Sequence, residues 1–283
     1  MLSLGFGLLA ALAWAVHDLL VRKLTQDAAI LPMLLVVAGA GTAALLVPAL
    51  ILGGWETLGR AAVLPAVAAG LVYIAGMLGL YEALSRAPVR IVAPILGAYP
   101  ILSLGIAAAQ GRAVSAIEWL CVLAIALGIA VVALTGREAG TLTRGTLGAA
   151  LAWAAIGAAG FAVTFALSQQ AARQGAEVPV MVVTRVTALV GIAILCLAAR
   201  SVRPAPGSVL VLVGMGVLDA IALGLVTASA GLPTPEYAAV AAALFGVLTI
   251  LLAWRILGER VAPLQWLGIA MVFAGIGVLS LQG

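Results

Sequence analysis

Pro32 and Pro179 open matching apolar stretches, and the 147-residue shift between them also lays Pro88 on Pro235, Gly111 on Gly258, Trp119 on Trp266 and Gly128 on Gly275. Upstream, Ala11-Leu12-Ala13-Trp14-Ala15 returns as Ala150-Leu151-Ala152-Trp153-Ala154 at a shift of 139, so the second copy gained eight residues before Pro179. One unit is written twice. Whatever the chain folds into must present two related halves.

The text of each half is lipid text. The chain is 65% hydrophobic and 8% charged, with a mean hydropathy of +1.28, where soluble domains carry roughly 25% charged residues. A hydrocarbon core of about 30 Å takes about 20 apolar residues at about 1.5 Å of helix rise each. Ten such stretches are expected, near Leu4–Val21, Ile30–Leu52, Val63–Leu84, Pro88–Ala109, Ile117–Thr135, Thr146–Leu167, Val178–Ala199, Ser208–Ala228, Pro235–Trp254 and Pro263–Leu281. The predicted fold is an all-α integral membrane protein of ten transmembrane helices in two repeats, residues 1–139 and 140–283. Connections such as Gly53–Ala62 and Thr141–Gly145 leave no room for a soluble domain.

The first span is not read as a secretory signal. No Lys or Arg precedes its apolar run, and its Ala-Leu-Ala-Trp-Ala text recurs mid-chain. Nor does the net charge of +4 point to nucleic acid, because the cations sit singly at span ends. Connections after the odd-numbered spans hold Arg22, Lys23, Arg86, Arg90, Arg137, Arg144, Arg200, Arg203, Arg255 and Arg260, and the others only Arg60, Arg112 and Arg173. Cationic loops stay in the cytoplasm, which predicts periplasmic termini. Five spans per copy is an odd number, so the second copy enters from the opposite face. Such an inverted-topology repeat gives secondary transporters a midplane site with two alternating exits.

The chain ends its second copy with Leu257-Gly258-Glu259-Arg260-Val261-Ala262-Pro263-Leu264-Gln265-Trp266-Leu267-Gly268, followed by Ala274-Gly275-Ile276. This resembles the close of the repeat in the drug/metabolite transporter superfamily, in its ten-helix branch with two EamA-type repeats. The first copy reads Gln110-Gly111-Arg112-Ala113-Val114 at the same place, with arginine where that family has glutamate. Pro100, in Tyr99-Pro100-Ile101, matches a proline common in the fourth helix of the family's repeat. Within the branch the chain is most similar to the YddG-type amino-acid exporters. The resemblance implies a transporter of the bacterial inner membrane that exports small metabolites, amino acids foremost, of aromatic or broad specificity, by alternating access. A multidrug or cationic-compound exporter is the alternative.

Polar residues within the spans are the candidates for chemistry, since a charge at the bilayer centre costs at least about 2.5–3.5 kcal/mol. Arg185 and Asp219 stand mid-span on neighbouring helices. They form either a neutral pair that locks two helices or a cavity pair that meets a zwitterion, a guanidinium being a bidentate partner for a carboxylate. Trp14, His17 and Asp18 share a helical face by spacings of three and four, with Asp18 one turn before Arg22. They read either as a proton-sensitive gate or as an interfacial cap in which Asp18 pairs with Arg22.

Tyr73, Met77 and Tyr81 stripe one face of the third span, and Tyr99, Trp153, Phe161 and Phe165 extend the aromatic set. These residues either pack the interior or wall a broad cavity for varied side chains. Glu82 and Arg86, four apart, are expected to pair at the surface, and Glu236 to serve a helix N-terminus. Pro94 and Pro100 remove backbone donors inside the fourth span and place a kink or hinge there. Cys121 and Cys196 lie within apolar spans and are not expected to form a disulfide. With one histidine, no paired-acid cluster and no cofactor motif, neither a metal, a cofactor nor an enzymatic activity is expected. Two repeats in one chain complete the inverted pair, so the expected unit is a monomer whose partners are a small solute and the bilayer.

Overall fold

A computed structural model describes residues 2–26, 28–109, 111, 113–135, 143–201, 203–204, 207–228, 241–242 and 244–281, and every regular element among them is helical. In chain order these are α1 (Leu2–Leu24), α2 (Ile30–Leu52), α3 (Arg60–Arg86), α4 (Val89–Gly97), α5 (Tyr99–Ala109), α6 (Ala116–Thr135), α7 (Arg144–Ala172), α8 (Glu177–Ala198), α9 (Val209–Ala228), α10 (Phe245–Ile256) and α11 (Pro263–Ser280). Six of them, α1, α2, α3, α7, α8 and α9, are long and apolar enough to cross a membrane. Leu50, Leu123, Leu127, Leu197 and Leu210 are exposed along the outside, the surface that lipid covers. Pro235, Glu236, Arg112 and Arg137 lie outside the described residues.

The packing repeats itself. With α1, α2, α3, α4/α5 and α6 set against α7, α8, α9, α10 and α11, almost every large interface has a mirror. Helix α3 lies on α7 as α1 lies on α9; α2 lies on α9 as α3 lies on α8; α1 lies on α10 as α4 lies on α7. Helices α2, α4 and α6 each touch their own counterparts, α8, α10 and α11. Two five-span units are thus related by a pseudo-twofold axis and interleaved. Because each unit crosses the bilayer an odd number of times, the two run in opposite senses.

Small residues bring these backbones together, as association within lipid requires. A Cβ on Gly79 would fall 2.3 Å from the Gly157 nitrogen, and one on Gly160 2.5 Å from the Gly76 nitrogen, which seats α3 against α7. Gly128 meets Gly268 while Gly275 meets Ile125 and the Cys121 carbonyl, a symmetry-related pair of contacts between α6 and α11. Gly277 faces open space.

The fourth span is broken rather than bent. Pro100 has no N–H to give the Leu96 carbonyl, and a residue before proline is pushed from helical geometry. The chain accordingly leaves α4 at Gly97, turns at Ala98 (φ −81°, ψ 6°) and restarts at Tyr99 with Pro100 in the first turn of α5, where a missing donor is harmless. Pro94 is accommodated within α4.

Candidate functional site

Helices α1, α3, α7, α8 and α9 each cross the middle of the bundle, and the α4–α5 break opens beside them. Between them lies a cavity of about 130 Å³ lined by Trp14, His17, Asp18, Tyr73, Met77, Leu80, Tyr81, Leu96, Tyr99, Phe161, Phe165, Arg185, Asp219, Leu223, Ala242 and Phe245. A single water's centre needs roughly 10–15 Å³, so the space admits a small solute. Both repeats contribute to its wall.

Its floor is ionic. Arg185 Nη1 donates to Asp219 Oδ2 at 2.5 Å, and Trp14 Nε1 donates to Asp219 Oδ1 at 3.0 Å. Both carboxylate oxygens are therefore held, one from each repeat. The Arg185 guanidinium carbon lies 4.9 Å from the Tyr73 ring centroid, over an aromatic face that favours a cation. Its other N–H donors have no acceptor among the described residues. Burial of the charged pair, with Arg185 and Asp219 side chains 9% and 13% exposed, makes each dependent on the other.

A second polar group stands on α1. His17 Nδ1 lies 3.0 Å from Asp18 Oδ1, and Tyr81 Oη lies 3.4 Å from His17 Nε2. The ring thus bridges the carboxylate and the tyrosine, the donor at each contact being set by its tautomer. Asp18 Oδ2 has no partner among the described residues. Asp18 does not pair with Arg22, whose guanidinium instead reaches the Leu84 carbonyl and Glu259. Counted together, the wall holds one arginine, Arg185, two acids, Asp18 and Asp219, and one imidazole, His17.

Aromatic rings make the rest. Trp14 meets Phe245 edge-on at 6.1 Å, Tyr73 tilts against Phe161 at 6.0 Å, and Tyr99 against Phe165 at 5.3 Å. The spacing of four that joins Tyr73, Met77 and Tyr81 does place all three on this wall. Trp153 does not line the cavity: it packs against the core with the Arg86 guanidinium 6.0 Å from its ring. Arg86 also pairs with Glu82. Pro94 lies two residues before Leu96, in the helix that brings Leu96 to the wall, and does not itself line it; Pro100 follows Tyr99 in the chain.

Leu80, Leu96, Leu223, Ala242 and Phe245 line the cavity without having been singled out by their sequence. Phe245 is the 147-shifted counterpart of Ala98, so the position at the helix break in one repeat holds a cavity ring in the other. Arg185 and Asp219 have Ala38 and Val72 as counterparts. The ionic floor belongs to one repeat alone. Among the described residues no group of three His, Cys, Asp or Glu side chains is arranged to hold a metal ion.

No curated protein sequence matches the chain. A crystal structure of another protein, 18% identical in sequence, superposes with a TM-score of 0.67 over 99% of this chain and 96% of that one, a likeness of fold. The profile of the EamA-like transporter family matches twice, over residues 1–134 and 148–281, the two units that the packing relates by pseudo-symmetry. This multi-pass membrane protein belongs to the EamA-like transporter family.

Proposed function

We propose that the protein exports small metabolites, amino acids foremost, by exposing the central cavity to each face of the membrane in turn. The observation that carries this reading is the Arg185–Asp219 pair set in an aromatic wall between the repeats. A guanidinium with spare donors is suited to a carboxylate, and Asp18, with one open oxygen, to an ammonium. The rings around them suit an aromatic or otherwise varied side chain. This is the cargo of the YddG-type branch. Reorientation follows from the inverted repeats, each of which can rock against the other.

The odd-numbered connections carry most of the cations, so the proposed orientation has periplasmic termini in a bacterial inner membrane. Both repeats come from a single chain, and a monomer is the proposed unit. A second reading, export of cationic compounds, is favoured by the two acids, Asp18 and Asp219, that line the cavity beside the single arginine.

Uptake of a panel of labelled amino acids and cationic dyes by proteoliposomes, with and without an imposed pH gradient, tests both. Amino-acid uptake without a gradient supports a facilitative carrier, and its acceleration by the gradient brings His17 and Asp18 forward as coupling groups. Movement of dyes alone would replace the first reading by the second.

A further inference from the structure

Helix α4 begins with a deficit. Its N-cap is Pro88, which has no side-chain hydrogen bond to offer, and the first amides of a helix have no partner within it. The missing acceptor comes from the other repeat. Glu259, in the turn between α10 and α11, accepts from the Val89 amide through Oε1 at 3.2 Å and from the Arg90 amide through Oε2 at 3.5 Å. Gly258 makes the approach possible: its φ of 67° turns the backbone immediately after α10.

The same carboxylate meets Arg22 at the end of α1, Nε to Oε1 at 3.4 Å. Arg22 in turn donates from Nη1 to the Leu84 carbonyl at 2.7 Å, near the end of α3. One glutamate of the second repeat thereby gathers the ends of α1 and α3 and the start of α4. Among the described residues Arg22–Glu259 is the one ion pair that joins the repeats. It also stands directly over the cavity. Arg22 is one turn beyond Asp18 on α1, Leu84 is three residues beyond Tyr81 on α3, and α4 runs from Glu259 to Leu96 on the cavity wall.

We propose that Glu259 is the positioning residue that keeps the cavity shut at this end, and that the transport cycle passes through a state in which its carboxylate leaves the α4 amides and Arg22. Helix α4 is the lever: about 13 Å long at 1.5 Å per residue, tied at its start by Glu259 and freed from α5 at Ala98. Releasing the tie frees its start from Arg22 and the ends of α1 and α3, so that α4 can tilt on α7 and α10, its main packing partners, without disturbing the ladder of any long helix. The inference rests on the alternating-access reading but needs no cargo for its test.

The test places a single cysteine in the cavity wall, Leu80→Cys, in a background with Cys121→Ser and Cys196→Ser, and measures labelling by a membrane-impermeant maleimide applied to each face in turn. Adding Glu259→Ala is expected to raise the rate from the latched face about tenfold, the factor that a lost helix cap and ion pair command, and to lower it from the opposite face. A carboxylate that only stabilises the fold would raise labelling from both faces or from neither, and either result overturns the proposal. Arg22→Gln, which breaks the pair and leaves the cap, is expected to shift both rates the same way by a smaller factor. Should Glu259→Ala fail to accumulate, Arg22→Gln decides: unchanged rates would overturn the latch.

Discussion

Trp14 and Arg185 hold opposite oxygens of one carboxylate, Asp219, at 3.0 and 2.5 Å, and they come from opposite repeats. The cavity's main anion is thus a junction: movement of α1 relative to α8 and α9 stretches one of its two bonds. On the proposed function, a solute carboxylate that took a share of Arg185 would loosen the same junction and so reach the packing between repeats.

Removing one member of this pair leaves the other as an uncompensated buried charge. Asp219→Asn is expected to lower stability by about 3 kcal/mol, whereas the double replacement Arg185→Met with Asp219→Leu costs much less, because no charge is then stranded. Thermal unfolding in mild detergent checks the stability order, and neither variant should transport. Arg185→Lys keeps the charge but not the planar fork, so it should accumulate normally and lose about tenfold or more in transport of carboxylate-bearing cargo.

Trp14→Phe keeps the ring against Phe245 and deletes the N–H to Asp219. A hydrogen bond to a charged group contributes about 1.5–3 kcal/mol to stability, so the melting temperature should fall, and on the proposed function cargo affinity should change as Asp219 loses one of its two partners. Trp153→Phe, outside the cavity, should leave affinity alone. Concentration dependence of uptake for the two variants separates them.

The His17 imidazole lies against Asp18 on its own helix and Tyr81 from α3. His17→Phe keeps a ring at this place and removes the polar contact to Asp18 Oδ1, so on the proposed function affinity for amine-bearing cargo should change several-fold, with abundance near normal. Concentration dependence of uptake checks it, and an unchanged affinity would remove His17 from the proposed site.

Gly79→Ala places a methyl where the Gly157 backbone already is, at 2.3 Å. Neither backbone can yield without parting α3 from α7, and overpacking of this kind costs about 1–3 kcal/mol. Folded yield and melting temperature should both fall. Gly5→Ala, with nothing within 4 Å of the new atom, is the matched control and should behave as the parent.

What the sequence made legible is what lipid imposes on each span separately. Apolar length marked the helices, and the period of 3.6 put Tyr73, Met77 and Tyr81 on one wall because that relation is internal to one helix. Trp14 and Asp219 are 205 residues apart, and nothing local ties an indole on α1 to a carboxylate on α9. Trp153 shows the limit of reading by repeat. It sits at the duplicated place of Trp14, yet duplication carries over a position without its surroundings: one indole meets Asp219 and Phe245, the other the guanidinium of Arg86. The break at Ala98 was half legible, since Pro100 announces a lost donor but not that the chain turns and restarts. The part of Glu259 was invisible, because it answers a deficit at Pro88 in the other repeat.

The interleaving of the two units has a consequence for how the protein is made. Helices α1 and α3 find their largest contacts on α9 and α7, and α2 its own on α9 and α8. While the ribosome is still translating the second half, the first stands in the membrane with its Gly76 and Gly79 faces bare, waiting for a complement yet to be synthesised. The first half therefore completes its packing only once α7, α8 and α9 stand beside it, and the tether between the halves makes that meeting intramolecular.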